Sequence, residues 1–355
     1  MDRSTKFQAG SAAEAPATAS LGVHLLVGLP TAAVQRGFEQ ARAFLPVHGL
    51  DTLAQLDAQN ATRIGVLLPP FAEPSLIVEN WIDCDFLSNR FGRPAHIEGV
   101  STFVDADRAA EQLASAVPLS QLGWGQSPFD GRTVADILVG QIESATHLVL
   151  VGAAPLPDAV ARSLALLNPE AARFPSHRID FEPSASETHH APVVPPWLEV
   201  LQGERVPTRG SDLFVYHRAR PFDPIRFGNW LEDPPKELVR GKGNVWMATE
   251  PDLSFGYSCA GAVHRIFPAG RWWASRPEGT WPRCASQRKR LLERWHPRFG
   301  DRRQELVFSG IDLDPDRLCA GLDACLVAED DVAVALATAP GTDAEALANP
   351  VTRLQ

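Results

Sequence analysis

The order of the apolar segments constrains this chain more than any other feature of its sequence. In the first 168 residues, short strand-like runs at 22–28, 63–68, 100–104 and 147–151 are each followed by a helix-like pattern. Such alternation predicts parallel strands joined by crossover helices. We therefore expect a doubly wound α/β domain, with helices on both faces of one sheet.

Polar residues at the predicted helix starts support this interpretation. Thr31 precedes a stretch with Val34 and Phe38 on one face, which is typical of an N-cap. Thr133 and Asp136 have the spacing of a capping box, in which each satisfies a backbone N–H of the first turn. A further helix is predicted from Asp158.

The remainder of the chain predicts a second domain. Prolines interrupt residues 169–207, so this stretch is interpreted as a linker after a first domain at 21–168. Residues 208–331 carry strand-like runs at 213–219, 244–249, 262–267 and 304–310, with helices starting near Asp223 and Asp314, which indicates a smaller α+β domain. Residues 1–20 are predicted to be a disordered tail and residues 332–355 a flexible one.

Composition restricts the class of protein further. The chain has 355 residues, of which 45% are hydrophobic, enough to bury two cores. Its apolar runs are shorter than a membrane span, and its N-terminus lacks the pattern of a secretory signal. Five cysteines are scattered without a CxxC pair, as is typical of a reducing compartment. We expect a cytoplasmic protein without a membrane partner.

Six blocks in the second half occur in one order that resembles the C-terminal domain of CobW-type proteins, which are P-loop GTPases linked to zinc, cobalt and nickel handling. The segment Asp130-Gly-Arg-Thr-Val-Ala also resembles a helix of that family's first domain. The resemblance covers about residues 21–331 and implies a P-loop-GTPase-like domain, with GTP and zinc as ligands. The six blocks begin at Leu213-Phe-Val-Tyr-His-Arg, Arg240-Gly-Lys-Gly-Asn-Val-Trp, Ser258-Cys-Ala-Gly, Pro268-Ala-Gly-Arg-Trp-Trp, Gly300-Asp-Arg-Arg-Gln and Leu322-Asp-Ala-Cys-Leu.

The first domain departs from the motifs that this resemblance implies. The phosphate-loop position holds Gly28-Leu29-Pro30-Thr31, which has no lysine and includes a residue without an N–H. The family's Cys-x-Cys-Cys motif is missing, and Val151-Gly-Ala-Ala-Pro stands where Asn-Lys-x-Asp is expected. Glu73 comes too late to replace the acidic residue after the second strand. Gly28 and Thr31 are thus interpreted as a degenerate phosphate loop, with no catalytic, cofactor-binding or metal-binding residue assigned.

Three functional hypotheses follow from these departures. The preferred one is a non-catalytic adaptor in zinc-linked stress physiology that binds a protein partner or the ribosome, because the order of blocks resembles an actinobacterial branch that recruits a hibernation factor. The alternative is a GTP-dependent metallochaperone for zinc or cobalt with an atypical nucleotide site. A third is a subunit that pairs with an active relative. The residues themselves favour a protein that is not a GTPase.

A basic, tryptophan-rich segment is the candidate contact surface. Between Arg265 and Arg303 there are eleven Arg or Lys and three acidic residues, so the segment carries a charge of about +8. Arginine and tryptophan together suit phosphates and unstacked bases, which predicts an RNA or partner contact, with no DNA partner expected. The competing interpretation places Trp272 and Trp273 in a core strand and Gln287 to Arg294 on a solvated helix face, and it pairs Arg302 and Arg303 with nearby acids. The candidate residues are Arg271, Trp272, Trp273, Arg288, Lys289, Arg290, Trp295, Arg302 and Arg303.

Other reactive side chains are interpreted as structural. His189 and His190 are too few for a zinc site, which needs four ligands. Cys259 and His264 are expected near one another on a pair of strands, and Cys259, Cys319 and Cys325 are predicted to be buried thiols. Asp312, Asp314 and Asp316 are expected to cap the final helix rather than to bind calcium.

Overall fold

Two sheets organise the chain, one parallel and one antiparallel. The structure is a computed structural model that describes residues 20–57, 61–83, 85–125, 127, 130–175, 200–201 and 213–334. The six-stranded parallel sheet has the order β2-β3-β1-β4-β5-β6. Its strands are β1 (Leu21–Gly28), β2 (Val47–Gly49), β3 (Arg63–Leu67), β4 (Ala95–Asp105), β5 (His147–Val151) and β6 (Ala172–Pro175).

Helices pack on both faces of the parallel sheet, because both faces of its central strands are apolar. On β1, Leu25 points into a cluster with the helices after β3, while the next residue, Leu26, packs with the helix after β1. On β4, Phe103 and Val104 divide between the two faces in the same way. The helices of this domain are α1 (Ala32–Ala41), α2 (Pro74–Asp83), α3 (Phe86–Phe91), α4 (Ala109–Leu113), α5 (Val134–Glu143) and α6 (Asp158–Leu167).

The second domain is a five-stranded antiparallel sheet with the order β10-β9-β8-β11-β7. Helices α7 and α9 supply Phe227, Leu318 and Leu322 to a cluster with Tyr216 and Phe308 of the sheet. The elements are β7 (Leu213–Arg218), α7 (Pro224–Glu232), β8 (Leu238–Trp246), β9 (Leu253–Ala260), β10 (Val263–Arg271), α8 (Ala285–Glu293), β11 (Gln304–Gly310) and α9 (Pro315–Ala324).

The two domains share a buried interface. Ala260 and Val263 of the second domain lie in the same core cluster as Leu138 of α5 and Leu164 of α6. Arg265 pairs with Asp136 at the start of α5, with 3.2 Å between Nη1 and Oδ2. Apolar packing and ion pairs therefore fix the sheet of the second domain against α5 and α6.

The predicted fold class is confirmed as a doubly wound α/β domain followed by a smaller α+β domain. Thr31 accepts a hydrogen bond from the N–H of Val34, and Thr133 and Asp136 form the predicted capping box. Asp314 caps α9 by accepting the N–H groups of Asp316 and Arg317.

Several features differ from the sequence-based expectation. Strand β6 lies inside the stretch interpreted as linker, because its four residues pair with β5 at the edge of the sheet, where its last residue, Pro175, is tolerated. Strand β9, fully buried, had no predicted range, although Cys259 and His264 lie opposite each other on β9 and β10 as expected. Strand β8 begins at Leu238 rather than at residue 244. Val332, in the predicted tail, is 1% exposed and packs with Trp246. None of the helices in the described ranges is long and apolar enough to cross a membrane.

Candidate functional site

The carboxyl edge of the parallel sheet is the place where such folds bind ligands, at the point where the strand order reverses. Here β1 lies between β3 and β4, and the chain leaves it towards β2 before returning to β4 on the other side. Four segments meet at this edge: the turn 28–31 after β1, the loop 68–73 after β3, the turn 105–107 after β4 and the loop 152–154 after β5.

The turn after β1 is occupied by its own packing. Leu29 is 2% exposed, and its carbonyl accepts the N–H of Thr31 at 2.8 Å. The hydroxyl of Thr31 accepts the N–H of Val34 at 3.2 Å. A Cβ on Gly28 would lie 2.7 Å from the carbonyl oxygen of Phe103. Gly28 is thus required for strand packing and Thr31 for helix capping.

Helix α5 holds the loop after β3. Gln141, fully buried, donates its amide to the carbonyls of Pro70 at 2.8 Å and Ala72 at 3.1 Å. Glu73 accepts a hydrogen bond from Arg132 at 2.7 Å, and Asp130 pairs with the same guanidinium. The loop is therefore fastened both to α5 and to the segment that precedes it.

A carboxylate closes the loop after β5. Asp107 accepts the N–H groups of Ala153 at 3.0 Å and Ala154 at 2.8 Å. These two hydrogen bonds, and next the positive charge of Arg36, hold the pKa of Asp107 below its ordinary value. Asp105 lies beneath it, 4% exposed, and accepts the N–H of Asp107 at 3.1 Å. The backbone donors of this loop are thus committed to a side chain of the protein itself.

These residues do not fit the lysine-dependent mode of phosphate binding. The described part of the first domain contains no lysine, and Lys236, Lys242 and Lys289 all belong to the second domain. Lys242 is on β8 at the interface, where burial, and then the charge of Arg240, lower its pKa to about 8. Pro30 offers no N–H at the turn after β1.

Within the described ranges, no group of three or more His, Cys, Asp or Glu residues is arranged to hold a metal ion. Burial raises the pKa of Cys259 to about 12 and that of Cys325 to about 11, so both are thiols rather than thiolates near neutral pH. Cys319 accepts a hydrogen bond from Arg218 at 3.1 Å. His189 and His190 lie outside the described residues.

The candidate contact residues fall into two groups. Trp272 is 7% exposed and packs with Trp246 and Phe299, so it belongs to the core and cannot form a contact surface. Arg302 donates to Asp252 and Ser275 and is likewise structural.

Of the other candidates, Arg303 is also largely buried, with its side chain 15% exposed, and the rest lie at the surface. Arg271 pairs with Asp252, Arg288 with Glu278, Lys289 with Glu293, and Arg303 with Glu305. Trp273 and Trp295 are half-buried, and Arg290 is exposed on α8. Trp281 and Arg276, which pack with these tryptophans, were not among the predicted residues, although their place in the same basic segment was a usable signal.

Comparison with known proteins places the second domain in a family. Residues 211–326 match the family described as cobalamin synthesis protein cobW C-terminal domain. The second domain is therefore a CobW C-terminal domain, as the resemblance of its blocks implies.

Longer similarities reach into the first domain. The zinc-regulated GTPase metalloprotein activator 1 of Dictyostelium discoideum is 28% identical over 257 residues, which are 66% of this chain and 52% of that protein. A zinc chaperone of Mycobacterium tuberculosis is 28% identical over 280 residues, which are 77% of this chain and 69% of that protein. The chain thus spans about half the length of the first relative. The crystal structure of the Zn(II)-bound YjiA GTPase from E. coli matches 86% of this chain and 99% of that one, at 15% identity. The TM-score is 0.29, which is too low to support a structural or functional conclusion.

These comparisons overturn the preferred functional hypothesis. A non-catalytic adaptor was inferred from the missing motifs, but the similar proteins are named a GTPase metalloprotein activator and a zinc chaperone. They favour the alternative, a metallochaperone with an atypical nucleotide site. The error came from treating the loss of one binding chemistry as the loss of the whole activity.

Proposed function

We propose that this protein is a metallochaperone for zinc with an atypical nucleotide site. The observation that supports this most directly is the similarity to the mycobacterial zinc chaperone, which covers 77% of this chain and so includes parts of both domains. The relative from Dictyostelium, named as zinc-regulated, supports the same class of function.

The architecture supports a function that needs both domains together. A buried ion pair between Arg240 and Glu143 and the shared apolar cluster join the domains. Glu73, in the loop after β3, is linked through Arg132 and Asp130 to the residues just before α5, and α5 itself packs on β9. A ligand at the carboxyl edge of the parallel sheet would thus contact loops that are anchored to α5, the helix that faces the CobW C-terminal domain.

Nucleotide binding, under this proposal, does not depend on a phosphate-loop lysine. The carboxyl edge provides the start of α1, whose dipole favours an anion, but Thr31 already accepts the N–H of Val34 and Pro30 removes one backbone donor from the preceding turn. We therefore expect GTP and magnesium to bind more weakly here than at a loop that contains the lysine.

Metal binding by the full-length chain tests the proposal. After removal of metal with a chelator, zinc is titrated in competition with a chromophoric chelator, and magnesium serves as the control ion. Saturable zinc binding that magnesium does not reproduce is expected. Equal, weak binding of both ions would contradict the proposal. In a separate measurement, a thermal shift with GTP and magnesium but not with magnesium alone reports the nucleotide site, since a ligand at 100 times its Kd stabilises by about 2.7 kcal/mol.

A further inference from the structure

Three tryptophans of the second domain are held together at its surface. Trp273, Trp281 and Trp295 are each half-buried. The ring centroids of Trp281 and Trp295 are 4.8 Å apart, and the indole N–H of Trp281 donates to the carbonyl of Trp273 at 3.0 Å. The ring contact and the hydrogen bond hold the indole of Trp281 against Trp295 and against the backbone of Trp273 before any ligand binds.

Arginines lie over the faces of two of these indoles. The guanidinium carbon of Arg276 is 4.5 Å from the ring centroid of Trp273, and that of Arg288 is 5.4 Å from the centroid of Trp281. Gly300 lets the chain approach the third ring, because a Cβ there would lie 3.0 Å from Trp295. Its φ of +68° also favours glycine. Backbone and side chains together build this arginine–tryptophan surface.

The surface keeps an excess of positive charge after its ion pairs are formed. Ten Arg or Lys lie from Arg271 to Arg303. Five carboxylates lie in this segment or pair with it, which leaves an excess of five positive charges. These carboxylates are Asp252, Glu278, Glu293, Asp301 and Glu305. Asp252 is shared by two of the arginines and Glu305 by two others. Within the described segment from Arg271 to Arg303, four arginines form no ion pair with a carboxylate, namely Arg276, Arg283, Arg290 and Arg298.

We propose that the arginine–tryptophan surface binds single-stranded nucleic acid. Exposed arginines attract phosphates, and indole faces held at the surface stack with unpaired bases whatever their sequence. An acidic protein segment would use the charges but would gain little from three fixed indoles. The combination of unpaired arginines with oriented rings favours the nucleic acid. This inference goes beyond the proposed function and does not depend on zinc binding.

The charge contribution is tested by fluorescence anisotropy of the full-length chain with a fluorescein-labelled 12-nucleotide oligouridylate over a range of salt concentrations. The triple variant Arg283→Ala, Arg290→Ala, Arg298→Ala should bind more weakly and should lower the slope of log K against log salt by about 2, since each phosphate contact contributes about 0.7. The control triple variant Arg42→Ala, Lys236→Ala, Arg317→Ala removes the same charge from exposed positions elsewhere and should behave as the wild type.

The stacking contribution is tested with Trp281→Ala and Trp281→Phe. Loss of one stacked base should weaken binding by about 5-fold to 150-fold, and the phenyl ring should restore part of it. Thermal unfolding of each variant identifies any loss of folding. The arginines replaced in the charge test are exposed, so that test does not depend on whether the tryptophan variants fold. Equal weakening by the two triple variants would overturn the proposal. The proposal would also be overturned if poly-glutamate displaced the labelled oligonucleotide as effectively as unlabelled oligouridylate does. Zinc titration of the same variants separates this outcome from the proposed function.

Discussion

Arg240 of the second domain and Glu143 of the first form a buried ion pair with two hydrogen bonds. Nε lies 2.7 Å from Oε1 and Nη2 lies 2.8 Å from Oε2, with side chains 5% and 4% exposed. Arg240 also donates to the carbonyl of Cys259 at 3.0 Å. Since neither domain supplies both charges, the pair is complete only when α5 and β8 are correctly docked.

Replacing one partner of this pair should destabilise the protein strongly. Glu143→Ala removes the ion-pair partner of the buried guanidinium of Arg240, and we expect the free energy of unfolding to fall by about 3–5 kcal/mol. Chemical denaturation measures this change. The control is Arg162→Ala, because Arg162 pairs with Asp312 across the same two domains but both side chains are exposed, and its loss should cost less than about 1 kcal/mol. Similar effects of the two variants would show that burial does not decide the strength of this contact.

The close approach of α1 to the sheet predicts a second stability effect. A Cβ on Gly37 would lie 2.7 Å from the ring of Phe103 and 2.9 Å from Val151. Gly37→Ala gains about 1 kcal/mol of helix propensity, but overpacking costs about 1–3 kcal/mol, so net destabilisation is expected.

Gly228 provides the matched control for this substitution. It also lies within a helix, α7, and a Cβ there would meet nothing within 4 Å. Gly228→Ala should therefore stabilise the protein by up to about 1 kcal/mol. Thermal unfolding compares the two variants, and a stabilised Gly37→Ala would contradict the close approach of α1 to Phe103 of β4.

Local sequence signals predicted the fold better than they predicted the site. Thr31 and Asp314 marked helix starts because a cap is a contact between residues close in sequence. Strand β9 was given no predicted range, although its large side chains alternate with small ones in the sequence Leu-Ser-Phe-Gly-Tyr-Ser-Cys-Ala, which was a usable signal for a strand.

The contacts at the candidate site join residues that are far apart in sequence. Asp107 reaches the loop at 153–154, and Gln141 reaches Pro70, only after the strands have paired. Single-sequence patterns carry no signal for such contacts. The same reason explains why Trp272 was placed on a contact surface: its burial depends on Trp246 and Phe299, from other parts of the second domain.

Acid should destabilise the first domain through a buried histidine. Burial, then the neighbouring His147 and Arg63, lower the pKa of His24 to about 3, whereas in the unfolded chain it is about 6.5. The unfolded state therefore takes up a proton as the pH falls below about 6.5 while the folded state does not. Stability is full above that pH and is lost as the pH falls towards 3, by about 2 kcal/mol between pH 7 and pH 5. His24→Gln should flatten the dependence of the free energy of unfolding on pH in that range, and an unchanged slope would contradict this assignment.

The carboxylate of Asp107 should control the order of the loop after β5. Asp107→Asn replaces a charged acceptor of two backbone N–H groups with a neutral amide that has one acceptor oxygen, so the amide protons of Ala153 and Ala154 should exchange with solvent faster. Because the pKa of Asp107 is lowered, the wild-type protection should be present near neutral pH and should decline only as the pH falls through that lowered value. Hydrogen exchange measured by NMR gives both results. Asp158→Asn, an exposed acid at the start of α6, is the control and should leave these two amides unchanged. If both variants accelerate exchange equally, the loop is held by the charge of the region and not by these two hydrogen bonds.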